Sequence, residues 1–369
     1  MALDLLHALS IPAPLPPRIT PKDHWVTFDL EVDKLLDVKR AQREFKVDGA
    51  GLTAAVLDTG LRTTHECFTG RVIGVKNFTE EDGSDPNNVT DWNGHGTNVA
   101  GIIAAGTNDE RRGIAPAANL VSLKVIPAPN LSVIIEALEW VYANAERLKI
   151  SVANLSLGVP NTNFKDDTEP TKTLESFAKI TEALATKRVA VVAAAGNSYY
   201  SVQAEGMSIP AIFRNVISVG AVYDESFKNR SYSDGATAFS THADQLTPFT
   251  QRLSKETSPE CYTDIFSSGG AVTSAGAADD TAASTQDGTS QASPTVAGIV
   301  LLLQQYYLRR KHEMPTIALL QDLLRASSTW IIDGDDDDDN VKHTNRKYPR
   351  ANAFQSLVAL HKAIQLGLV

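Results

Sequence analysis

Cysteine is nearly absent from this chain of 369 residues; only Cys67 and Cys261 occur. Two thiols cannot build a disulfide framework, and so low a count fits a reducing compartment. They are read as buried or idle thiols rather than as one bridge. Basic charge is also short: 34 Lys and Arg face 44 Asp and Glu, for a formal net charge of -10. That deficit argues against a nucleic-acid partner, which needs clustered cations to neutralise phosphates. No apolar run reaches the roughly 18 residues of a membrane-spanning helix, so no membrane partner is expected. Residues 1–10 are apolar in part, but Asp4 and His7 interrupt them. They have neither a basic n-region nor a small-residue cleavage site, so a secretory signal is not expected. A cytoplasmic location follows as the expectation, with a mature secreted form left open. No internal repeat is visible.

Hydrophobic residues make up 43%, ample for a large core. The segment 1–26 carries Pro12, Pro14, Pro16, Pro17 and Pro21; proline at this density resists helix and favours extended chain. From about residue 27 short apolar runs alternate with helical patterns. The strand candidates are Leu52–Leu57, Leu120–Val125, Val152–Leu157, Val189–Ala195 and Val216–Val222. Their continuous apolarity predicts strands buried on both faces of a parallel sheet. Between and after them, helical patterns cover Gly96–Ala105, Leu131–Leu148, Thr171–Lys187, Thr289–Gln305 and Ala351–Leu366. This alternation predicts a single α/β domain over 27–369, a mostly parallel central sheet with helices on both faces. Residues 224–287, rich in Ser, Thr, Gly and Ala, are expected to hold loops and short strands. Asp335–Asp339 is an unbroken acidic run, read as a solvated loop; it lacks the Gly and terminal Glu of a calcium loop.

Four motifs carry chemistry. Asp58-Thr59-Gly60 ends an apolar strand, and Gly94-His95-Gly96-Thr97 opens a helix. Ala194-Ala195-Gly196-Asn197 ends another strand, and Gly288-Thr289-Ser290-Gln291-Ala292-Ser293-Pro294 opens another helix. A serine hydroxyl is a weak nucleophile until a base takes its proton. His95 is that base, and Asp58 can fix its tautomer and stabilise the imidazolium. Ser290 near a helix N-terminus has a backbone N–H free for an oxyanion. Asn197 offers a second donor. Singly, each residue has a plainer role: a cap, a turn, a structural histidine. A lipase-type elbow needs Gly where Ala292 stands.

In this order, over roughly residues 30 to 365, the four motifs resemble the subtilisin-like serine proteases. The resemblance implies a serine endopeptidase acting on proteins or peptides. Asp58, His95 and Ser290 would form the triad, with Asn197 and the Ser290 amide as the oxyanion hole. Ser156-Leu157-Gly158 and Ala194-Ala195-Gly196 would form the two walls of the pocket for the P1 side chain. Both walls are uncharged, which favours a neutral P1 residue, apolar rather than charged. Two other outcomes stay open: a transpeptidase or macrocyclase that passes the same acyl group to an amine, and a catalytically silent peptide-binding module. Oligomeric state is not legible.

Departures from the family pattern are local. Gln291 follows the nucleophile where many relatives carry Met, and Asn98 stands where many carry a second His, in a structural role. Pro127-Ala128-Pro129 replaces a Gly-rich edge that pairs with substrate, and proline cannot donate that bond. Cys67 lies near a calcium-ligating Asp of relatives, and Thr107–Arg112 is unlike the usual calcium loop. No cofactor is therefore expected to be required: the high-affinity calcium site reads as degraded, with calcium elsewhere left open. Residues 224–264 read as an enlarged loop that reaches the cleft or makes an interface. The 1–26 extension resembles the short N-terminal extension of intracellular members, which blocks the cleft; a free tail is the alternative.

Overall fold

The protein is described from a computed structural model over residues 30–108, 111–128, 130–334 and 337–369. The Pro-rich extension and its inhibitory role, and Pro129, lie outside the described residues.

Two short helices, α1 (Leu30–Leu36) and α2 (Val38–Phe45), precede β1 (Thr53–Asp58) and β2 (Val72–Asn77). Helix α3 (His95–Ala104) follows, then a small hairpin, β3 (Gly106–Asn108) with β4 (Arg111–Arg112), and β5 (Asn119–Lys124). Next come α4 (Ser132–Leu148), β6 (Ile150–Leu155), α5 (Thr168–Thr173), α6 (Glu175–Thr186) and β7 (Ala190–Ala194). A one-turn α7 (Tyr199–Val202) leads to β8 (Val216–Val222) and the hairpin of β9 (Lys228–Ser231) and β10 (Thr237–Ser240). After β11 (Ile265–Ser268) and the hairpin of β12 (Val272–Ala275) and β13 (Ala283–Gln286) comes the long α8 (Thr289–Lys311). Helix α9 (Ile317–Ala326), β14 (Thr329–Ile332), β15 (Lys347–Arg350) and α10 (Ala353–Gln365) complete the order.

Nine strands form one sheet in the order β14-β15-β11-β8-β7-β6-β1-β5-β2. All neighbours run parallel except β14 with β15. The run Thr53–Asp58 is buried along its whole length. Its pleat sends Ala54 and Val56 into a core shared with α3 and α8, while Ala55 and Leu57 enter a second core shared with α4. The result is the anticipated α/β architecture, helices on both faces of a mostly parallel sheet.

Several expectations need correction. Thr171–Lys187 is two helices meeting at Leu174, whose φ of -124° and ψ of 48° are not helical because its side chain turns into the core. Helix α8 runs past Gln305 to Lys311; Arg309, Arg310 and Lys311 complement the dipole at its C-terminus. β2 and β11 escape an apolar-run search: Gly74 and Lys76 interrupt one, and Ser267 and Ser268 occupy the other. The acidic run is not wholly solvated. Ser240 Oγ donates to Asp338 Oδ1 at 2.6 Å, and the Asp339 side chain, 2% exposed, pairs with His343 at 3.3 Å.

The segment 224–264 turns back over the carboxyl ends of β7 and β8. Ala221 N donates to Thr250 Oγ1 at 2.9 Å, and Gln251 N donates to Gly196 O at 2.8 Å. Its β9–β10 hairpin is pinned by a 2.6 Å ion pair from Arg230 to the buried Asp287, just before the start of α8.

Candidate active site

Parallel strands present their carboxyl ends on one edge of the sheet, where open α/β folds bind ligands. Asp58 ends β1, Asn197 follows β7, and Ser156 follows β6. His95 opens α3 and Ser290 is the second residue of α8. Asp58, His95 and Ser290 are all buried, at 1%, 2% and 4% exposure.

His95 Nδ1 lies 2.7 Å from Asp58 Oδ1. The same oxygen accepts Thr59 N at 2.8 Å, while Oδ2 is buried and, among the described residues, without a partner. A second carboxylate holds the frame. Asp91 Oδ2 accepts both Thr97 N, at 2.8 Å, and Thr97 Oγ1, at 2.6 Å, capping α3 in place of its Gly94 N-cap. Thr59 Oγ1 bridges Asp91 Oδ1, at 2.8 Å, and Gly96 N, at 2.9 Å. The approach needs Gly96: a Cβ there would meet Gly60 O at 2.2 Å. Burial works against the imidazolium of His95, but Asp58 beside it, their hydrogen bond and the more distant Asp91 outweigh that and raise its pKa above 6.5.

Ser290 Oγ donates to Ser156 O at 3.1 Å, and among the described residues no hydrogen bond joins it to His95. The Ser290 N–H, in the first turn of α8, has no intrahelical acceptor. Asn197 Oδ1 accepts Thr289 N at 2.9 Å and Thr289 Oγ1 at 2.7 Å, which caps α8 from outside. Two donors on Oδ1 fix the amide, leaving Nδ2 beside Gly288. Leu157, Gly158, Ala194, Gly196, Asn197 and Ser290 line one small pocket; Ala195 lies in the core behind it. Asp91 lies outside the four motifs, and Thr59 and Thr97 stand in them without a role of their own. The cluster of Asx and Thr before a helix start was the available signal.

The family model described as the Subtilase family matches residues 49–353. The chain belongs to the subtilase family. Among its relatives is the Major intracellular serine protease of Bacillus subtilis (strain 168), 37% identical over 48% of this chain and 52% of that one. An Intracellular serine protease of Paenibacillus polymyxa is 34% identical over 47% of this chain and 50% of its own. Subtilisin BL of Lederbergia lenta is 37% identical over 50% of this chain and 60% of its own. The chain thus spans about half the length of the curated relatives it matches. No helix among the described residues of this subtilase is long and apolar enough to cross a membrane.

Proposed function

We propose that the protein is a serine endopeptidase that hydrolyses peptide bonds through an acyl-enzyme on Ser290. The observation that carries this is the buried 2.7 Å Asp58–His95 pair on the sheet edge where α8 presents Ser290. When substrate binds, Ser290 Oγ turns from the Ser156 carbonyl toward His95; such bonds commonly close only in the Michaelis complex. His95 Nε2 takes the hydroxyl proton as Oγ attacks the substrate carbonyl, and Asp58 holds the imidazolium. The oxyanion receives Asn197 Nδ2–H and the Ser290 N–H. His95 then gives its proton to the leaving amine, and water repeats the sequence in reverse on the acyl group. Substrates are unfolded proteins or peptides laid along Ser156–Gly158. A reducing, intracellular setting is part of the proposal; the names of two relatives and the buried Cys67 and Cys261, which form no disulfide with each other, support it. A fluorophosphonate should add one adduct to the intact mass, absent in Ser290→Ala. An adduct that persists in that variant, or none with either protein, overturns the proposal.

We further propose that the fold needs no calcium at the Cys67 position. Backbone carbonyls are what a calcium ion would gather there. Instead the Arg71 guanidinium donates to Cys67 O, Ala104 O and Ala118 O. Chelation should leave the melting temperature unchanged; a fall of several degrees overturns the proposal.

A further inference from the structure

Gln251 belongs to none of the four motifs, yet its side chain reaches the pocket beside Gly196 and Ser290. The residue is 1% exposed. Its Nε2 donates to Thr162 O at 2.8 Å and to Asn163 Oδ1 at 2.9 Å. Asn163 is fixed in turn, because its Nδ2 donates to Ala204 O and Glu205 O, both at 3.2 Å. Turning the Gln251 amide over would set its oxygen against two acceptors, so the orientation is determined by the network. Oε1 is therefore left buried and, among the described residues, without a partner, on a side chain that lines the pocket. It lies hard behind Gly196, where a Cβ would stand 2.0 Å from it and where φ is +114°, a left-handed value that itself favours glycine. The pocket hydroxyl of Ser208 does not serve it, since Ser208 Oγ donates to Val159 O at 2.9 Å. No described residue lining this pocket is charged.

A buried acceptor with no donor is costly, and a site that leaves one open selects a ligand that fills it. We propose that Gln251 sets the P1 preference: the pocket takes a compact, uncharged side chain carrying an N–H or O–H donor, such as Asn, Ser or Thr, ahead of an apolar side chain of equal size. This rests on the endopeptidase reading above. It refines the apolar preference expected from the walls alone, because the acceptor comes from the 224–264 segment rather than from either wall.

The test uses two otherwise identical peptides, one with P1 Asn and one with its near-isostere Leu. Hydrolysis by the full chain gives kcat/KM, and binding to Ser290→Ala gives Kd without chemistry. The Asn peptide should be favoured about tenfold in both. Gln251→Met, with folding checked by circular dichroism, should bring the ratio to one or below. Equal or tighter binding of the Leu peptide to Ser290→Ala overturns the assignment. A preference for Asn in Kd with no hydrolysis by the unsubstituted protein supports the pocket assignment and overturns the peptidase reading.

Discussion

Two departures from the family pattern turn out to be neighbours. Gln291 Nε2 lies 3.3 Å from Asn98 Oδ1, although the residues are 193 positions apart. Asn98 Nδ2 continues the chain to Ser284 O at 2.8 Å. Both amides are buried, so each change in isolation would strand a polar group, and together they satisfy one another in part. Sequence alone flagged both positions but could not pair them, because nothing local links α3 to the start of α8. His95 differs in this respect: its motif named the residue, and only its surroundings could give its proton affinity. In the proposed mechanism His95 must be neutral to accept the Ser290 proton, and Asp58 and Asp91 hold the proton on the ring to higher pH than usual. Activity should therefore be lost as pH falls through a midpoint above 6.5. A kcat/KM profile whose acid limb lies at or below that value would contradict the proposed environment of the base.

A proline six residues into α8 explains how this helix is joined to β6. Pro294 has no N–H, so the carbonyl four residues earlier, that of Ser290, lacks its helical partner. Ser156 Oγ donates to that carbonyl at 2.7 Å. In return Ser290 Oγ donates to Ser156 O at 3.1 Å. Ser293 Oγ donates to Asn154 Oδ1 at 2.8 Å, and Asn154 Nδ2 donates to Ser156 Oγ at 2.9 Å, closing a buried ring of contacts between strand end and helix start. Ser156→Ala would leave the Ser290 carbonyl buried and unpaired, at a cost of about 1–3 kcal/mol. Urea denaturation should show a lower midpoint with an unchanged slope; an unchanged midpoint would remove Ser156 from this positioning role. Elements of this kind were legible where the apolar pattern was long and unbroken, as with β1, β8 and α4. The break at Leu174 was not, since one buried leucine redirects the chain without any Gly or Pro to announce it.

Across the whole molecule, the loop between β14 and β15 meets the residue that follows Gln251. Arg252, directly after Gln251, is 1% exposed and stacks 3.5 Å over the Tyr199 ring. Its Nε is 3.1 Å from Asp333 Oδ2, an ion pair that is not aligned as a hydrogen bond. His343 bonds Asp333 Oδ1 at 3.1 Å and faces Asp339 at 3.3 Å. Burial opposes the Asp333 carboxylate, yet Arg252 and the bonds from His343 and Thr344 hold its pKa below 3.8. The Asp333 hydrogen bond raises that of His343 above 6.5 against partial burial. The Asp333 contribution is thus present above 3.8 and lost as pH falls through its lowered value. The His343 contribution is present below 6.5 and lost as pH rises through its raised value. Asp333→Asn strips a buried cation of its partner and should cost about 3–5 kcal/mol. The loss in melting temperature should be widest between these limits and narrow in acid; a difference independent of pH would sink the account. The five-Asp run read as solvent-facing because Ser240, on β10, is far from it in sequence and meets Asp338 only in the tertiary fold, while His343, four residues beyond Asp339, meets it only through the path of their shared loop.

The strand order has a further consequence for how such a chain is made. Asp58, His95, Ser156 and Asn197 all lie on elements completed by β8 at Val222, whereas Ser290 is carried by a helix that packs against β6, β7, β8 and β11. A chain emerging from the ribosome therefore presents the proposed base, clamp and pocket walls before the proposed nucleophile. Until α8 packs against the sheet, a peptidase of the proposed kind would have no means of cutting its neighbours.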